Sequence, residues 1–167
     1  GAQHVSVSTV GIPQGIERFA EDFPQINLAV SLHAAEDGLR SRLVPANRAY
    51  PLAELSRALE RYLGASSRKV LLECALLAGV NDRERDADAL VAFVRRLGRA
   101  ELFHINLILY NPTAGPLRPT SEPEARRLQE RLLAAGLKAT LRQSLGADIQ
   151  GACGQLVSER SPDGRHP

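Results

Sequence analysis

The chain has 167 residues, 44% of them apolar and 24% charged, with a formal net charge of +2. This is room for one domain of ordinary size with enough apolar content for a core, and so slight a positive surplus does not by itself argue for nucleic acid, because phosphate affinity needs clustered cations. No apolar run reaches the about 18 residues of a membrane helix and no basic-then-apolar leader is present, so export and membrane insertion have no support and a cytoplasmic location is expected.

The alternation His4-Val5-Ser6-Val7-Ser8 predicts a first strand that ends at Ser8 or Thr9, before the turn at Gly11 and Pro13. A helix over about 14–22 leads to a second alternating run, Ile26 to His33, with Asn27, Ser31 and His33 on its polar side. Pro51 then opens an amphipathic helix carrying Leu52, Leu55, Leu59 and Tyr62 on one stripe, with Gly64 as the expected stop. Val70 to Leu77 is nearly all apolar and reads as an internal strand buried on both sides; Glu73 within it has no role that the pattern assigns. Asn81 and Glu84 have the spacing of an N-cap and its third helical residue, followed by Ala87, Leu90, Val94 and Leu97. A fourth strand is expected over 102–110, a helix opened by Ser121-Glu122-Pro123-Glu124 and ending before Gly136, and a fifth strand over 138–143.

Strand and helix thus alternate about five times, the pattern of an α/β fold with a parallel sheet, either part of a barrel or an open sheet. Residues 1–157 form the expected core and 158–167 a polar, disordered tail. In such folds functional groups gather at the carboxyl ends of the strands, where this sequence repeatedly places polar residues: Ser8-Thr9, Ser31-Leu32-His33, Asn111-Pro112-Thr113 and Ser144. Each also has a plainer reading, since serines cap and turn, Asn111 precedes a proline, and a strand-end histidine can simply be hydrogen-bonded.

The two cysteines, Cys74 and Cys153, are far apart and fit neither a disulfide framework nor a zinc site. Cys74 sits in core company. Cys153 lies among Gly151, Ala152 and Gly154, small residues that could present a thiol to a substrate. Nineteen arginines against two lysines suit bidentate phosphate contacts but most simply reflect genome composition, and the clusters Arg95-Arg96 and Arg126-Arg127 read as solvated helix faces. The chain starts at Gly1 and contains no methionine, from which a piece of a longer protein is expected.

The motifs Val7-Ser8-Thr9-Val10-Gly11, Ser31-Leu32-His33-Ala34, Gly79-Val80-Asn81-Asp82, His104-Ile105-Asn106-Leu107-Ile108 and Asn111-Pro112 follow one another in the order seen in the RlmN/Cfr family of radical S-adenosylmethionine (SAM) rRNA methyltransferases. Residues 146–156, Gly-Ala-Asp-Ile-Gln-Gly-Ala-Cys-Gly-Gln-Leu, resemble that family's C-terminal cysteine signature, and the resemblance spans roughly residues 4–156. It implies the later strands of a partial (β/α) barrel, with SAM contacts from Ser8, Ser31, Leu32, His33 and Asn111. It implies further that Cys153 accepts a methyl group from one SAM, that a radical from a second abstracts hydrogen from that methyl, and that the carbon then adds to an adenine.

The same resemblance implies a [4Fe-4S] cluster whose Cys-x3-Cys-x2-Cys ligands lie outside this chain, leaving the fragment inactive alone and placing the cysteine that resolves the RNA adduct elsewhere too. Expected partners are 23S rRNA, the tRNA anticodon loop and an electron donor such as flavodoxin. Methylation at adenine C2 is the first reading. Alternatives are Cfr-type C8 methylation, a non-catalytic RNA-binding remnant, and a half-barrel of an unrelated enzyme.

Overall fold

A computed structural model describes residues 5–110 and 116–143. Strand β1 (Ser6–Thr9) leads into helix α1 (Pro13–Asp22), β2 (Asn27–Ser31), α2 (Asp37–Leu43) and α3 (Leu52–Ala65), then β3 (Val70–Leu76), α4 (Glu84–Leu97), β4 (Phe103–Leu109), α5 (Glu122–Ala134) and β5 (Lys138–Gln143). Short 3₁₀ turns occupy Pro45–Arg48 and Ala100–Leu102. The expected alternation is present; α2 and the turn after it carry no periodic signal in so short a stretch and were not anticipated.

All five strands are parallel and lie side by side in chain order, β1-β2-β3-β4-β5. A doubly wound sheet reverses its strand order partway; this one does not, which is the winding of a barrel wall. The helices pack on one face. Leu28 and Val30 of β2, Val70, Leu72, Cys74 and Leu76 of β3, and Phe103, Ile105 and Leu107 of β4 join Ile16, Leu55, Leu59, Tyr62, Phe93, Val94 and Leu132 in a single core.

This one-sided burial corrects the reading of β3 as a strand buried on both faces. Its residues alternate, with Leu71, Glu73 and Ala75 only half-buried on the face away from the helices. A central strand in a barrel wall needs apolar residues towards the helices, while its other side faces the lumen and can be polar.

Local chemistry sets the element ends. Pro13 presets the first helical φ of α1, and Ile16 and Ala20, one turn apart, point into the core. The stripe expected for α3 is buried throughout, and the Tyr62 hydroxyl donates to the Ile26 carbonyl at 3.0 Å, tying the helix to the start of β2. Gly64 does not end α3, which continues through Ala65 to a Ser66 C-cap. Ser121 caps α5 as anticipated, its Oγ accepting from the Glu124 N–H.

Asn81 is not the N-cap of α4. Arg83 holds that position, and Asp86 accepts from its N–H at 2.9 Å. Buried Asn81 instead accepts from Leu77 N–H and donates to the carbonyls of Ala75 and His33, all at 2.8 Å. Where the chain leaves β3 these peptide groups have no ladder partner, and a buried carboxamide satisfies three of them at once.

Leu59→Ala, which empties a fully buried site, is expected to lower stability by about 2–5 kcal/mol, whereas Leu133→Ala, at a leucine that is 48% exposed, should stay within about 0.5 kcal/mol. Urea denaturation of both variants checks the contrast.

Candidate ligand site at the carboxyl ends of the strands

Ser8 is the third residue of β1 and Ser31 the last of β2; Ser8 pairs with Ala29, so the two serines lie on the same face of adjacent strands, one pleat apart. His33 follows two residues after Ser31. The structure thus brings Ser8, Ser31 and His33 to one end of the sheet, while Asn111 and Cys153 lie outside the described residues.

The Leu32 side chain is fully buried in the core, its N–H donates to the Glu73 carbonyl, and its own carbonyl accepts from the Arg40 Nε (3.1 Å) and the Ala34 N–H (2.7 Å). With its side chain in the core and its peptide groups engaged, Leu32 anchors the loop between the two polar residues beside it.

What holds this corner is a residue that the sequence reading did not single out. Arg40 of α2 is completely buried, and its guanidinium donates to Leu32 O, to Val10 O (2.7 Å), to Ser31 O (3.3 Å) and to Asn47 Oδ1 (2.7 Å). One planar fork therefore gathers the carbonyls leaving β1 and β2, a geometry that lysine does not reproduce. Asn47 passes the network on, donating to Asp37 Oδ1 at 2.9 Å and to Ser41 Oγ at 2.8 Å, and Asp37 also accepts from Leu52 N–H.

Burial disfavours the Arg40 charge and the Asp37 carboxylate works to restore it. Gly11 belongs to the same arrangement. Its φ is +97°, and a Cβ there would sit 3.1 Å from the guanidinium and 3.2 Å from Leu55, so the Gly11 of the first motif leaves room for Arg40. The only sequence cue to Arg40 is a cation next to Leu39 in an otherwise uninformative stretch.

His33 is held with comparable care. Its backbone is left-handed (φ +59°), its N–H donates to Glu73 O, and its carbonyl accepts from Asn81. The ring Nδ1 accepts from the Ala75 N–H at 3.0 Å, so the neutral ring carries its proton on Nε2. Burial, and secondarily the Arg40 charge, hold the imidazole below its ordinary range. The ring is therefore a neutral donor at physiological pH.

Cys74, on the core face of β3, is 1% exposed, and burial pushes its thiol up to about 12. It is a core residue, inert at neutral pH, as its place in the apolar run implied. Among the described residues no group of histidine, cysteine and carboxylate side chains could hold a metal ion, and no helix is long and apolar enough to cross a membrane.

A parallel wall in chain order, with polar groups convergent at its carboxyl ends, is the architecture of part of a (β/α) barrel with a ligand site. A radical SAM methyltransferase from Sphaerobacter thermophilus superposes with a TM-score of 0.86 at 46% identity, over 93% of this chain and 45% of that one. A domain of pyruvate-formate lyase-activating enzyme from Bacteroides vulgatus shares the fold at a TM-score of 0.61 and 20% identity, covering 82% of this chain.

In sequence the chain is a relative of the RlmN/Cfr methyltransferases and corresponds to their C-terminal half. It is 48% identical over 155 residues to a probable dual-specificity RNA methyltransferase RlmN of Moorella thermoacetica and 40% identical over 158 residues to the ribosomal RNA large subunit methyltransferase Cfr of Bacillus velezensis, covering 92% of this chain in each case. The chain spans about 45% of the length of these curated relatives. No family model matches it.

Arg40→Lys keeps the charge but loses the fork, and each charged hydrogen bond left unmade is expected to cost about 1.5–3 kcal/mol in urea denaturation. His33 contributes a pH dependence of definite sign. With its folded pKa depressed, the unfolded chain binds more protons below the ordinary histidine pKa of about 6.5, so its stabilisation is complete above that value and is lost as pH falls through the lower folded pKa. His33→Asn keeps an acceptor for Ala75 and tolerates the left-handed backbone. Melting curves between pH 7.5 and about 5 should fall less steeply for this variant than for the wild type.

Proposed function

We propose that the chain forms the C-terminal half of a radical SAM enzyme that methylates a ring carbon of an adenosine in large-subunit rRNA, at C2, with tRNA as a second substrate. The observation that carries the proposal is the strand-end cluster: two hydroxyls and a neutral imidazole donor, placed where α/β folds bind ligands and pinned by Arg40 and Asn81, in a chain whose relatives are RNA methyltransferases.

Ser8, Ser31 and His33 would hold SAM, with Asn111 completing the contact and Leu32 setting the loop. Hydroxyls that donate and accept, together with an Nε2–H that donates, suit a ribose, a carboxylate and an adenine edge. SAM held there would supply the methyl group and, with an electron from a [4Fe-4S] cluster whose ligands this chain's two cysteines cannot provide, the radical. The cytoplasm and a flavodoxin-type donor are the setting that this chemistry calls for.

Cys153 would be the methyl carrier. An electron-poor ring carbon is not nucleophilic enough to take a methyl group from a sulfonium directly, so attachment to sulfur first splits one difficult step into easier ones. The chain's other thiol, Cys74, is buried and its pKa raised, which makes it unsuited to this role.

The test uses full-length wild type and Cys153→Ala with labelled SAM, a reductant and an rRNA fragment, following 5′-deoxyadenosine and methyladenosine by mass spectrometry. The alanine variant is expected to lose methyladenosine while retaining some deoxyadenosine formation. Wild-type methyladenosine from the variant would overturn the carrier role, and 8-methyladenosine from the wild type would overturn the C2 assignment.

A further inference from the structure

The lumen face of the sheet carries a polar row that runs on from Ser31 through three residues to which no SAM contact is assigned. Ser31 of β2 pairs in register with Glu73 of β3, Glu73 with Asn106 of β4, and Asn106 with Thr140 of β5. All four side chains alternate away from the core residues on either side of them, so they line one face, and with strands about 4.8 Å apart the row is roughly 14 Å long, enough to lie along a nucleoside.

Two members have no side-chain hydrogen-bond partner among the described residues. Asn106 is only 6% exposed, yet its carboxamide makes no hydrogen bond among the described residues, which is uncommon for a buried polar group and costs stability. Glu73, half-buried, makes no side-chain hydrogen bond or ion pair among them either. By contrast His104, one pleat nearer the amino ends, bonds to Thr140 Oγ1 at 2.6 Å, and Asn81 at the carboxyl end is fully satisfied.

We infer that Glu73 and Asn106 together recognise the amino edge of an adenine. A carboxylate only accepts and repels phosphate or carboxylate, so the ligand must present donors to Glu73. The neighbouring carboxamide both donates and accepts, and pairs in two-point fashion with an exocyclic amine beside a ring nitrogen. Adenine offers this set, with two N6 protons next to a ring acceptor. The inference rests on the reading of the chain as a SAM-dependent adenosine methyltransferase, in which such an edge could belong to SAM or to the target base.

Binding to full-length wild type, Glu73→Gln and Asn106→Leu distinguishes the sources. One arm compares S-adenosylhomocysteine with its 6-oxo analogue S-inosylhomocysteine, and the other compares rRNA hairpins with adenosine or inosine at the target position. In one arm the wild type should prefer the amino form by roughly tenfold to a hundredfold, and both variants should lose most of that preference; that arm names the source.

A second measurement separates recognition from folding. Because Asn106 makes no side-chain hydrogen bond among the described residues, the near-isosteric leucine should leave the ligand-free melting temperature unchanged or higher. A preference absent from the wild type, a preference that survives Asn106→Leu, or a lowered melting temperature in that variant overturns the inference. A wild type that binds neither S-adenosylhomocysteine nor RNA overturns the underlying reading, and this inference with it.

Discussion

The arrangement of this protein's strand ends depends on one buried cation. Arg40 reaches from α2 to the carbonyls of Val10, Ser31 and Leu32, where β1 and β2 have run out of ladder partners. Burying a guanidinium is costly unless its donors are used, and here they are used on the backbone groups that most need them. The carbonyl side of the first two strand ends is thereby turned inward onto Arg40, and the hydroxyls of Ser8 and Ser31 and the Nε2–H of His33 are left for other partners. Gly11 and the Asp37–Asn47 pair follow from the same constraint: the first makes space for the fork and the second stabilises its charge.

The second organising feature is the asymmetry of the sheet. Helices cover one face with a continuous apolar core, while the other bears Ser31, Glu73, Asn106, Thr140 and His104. At its far edge Val7 of β1 and Val5 just before that strand are exposed, without the cover given to Leu28 and Val30 on the neighbouring strand. A polar lumen beside a packed core lets one set of strands serve two purposes, because alternate residues are independent of each other. Stability rests on residues such as Leu72, Ile105 and Leu107, and the intervening positions are free to carry chemistry.

His33 shows how closely the two purposes are joined. Its ring accepts from Ala75, its carbonyl accepts from Asn81 and its N–H donates to β3, so the imidazole is oriented and its tautomer set before any ligand arrives. Such preorganisation reduces the ordering cost of binding. It also explains why Asn81 is better used inside the fold than as a helix cap, since Arg83 and Asp86 close the first turn of α4 on the exposed side.

From the sequence alone, the period of the apolar residues determined the five strands and the helices α1, α3, α4 and α5, and their alternation determined that the strands run parallel, because burial of one stripe per element is a local property of the pattern. The same pattern placed Ser8, Ser31 and His33 at strand ends, and the ordered motifs pointed to RlmN/Cfr. Only the tertiary structure decided what depends on neighbours distant in sequence: that β3 is buried on one side, that Asn81 satisfies strand-end peptides, that Leu32 faces the core, and that Arg40 is the hub. Glu73 and Asn106, 33 positions apart in the chain, become neighbours only through the β3–β4 register. Register and the partners of buried polar groups are set by how whole elements dock, and no local periodicity encodes them.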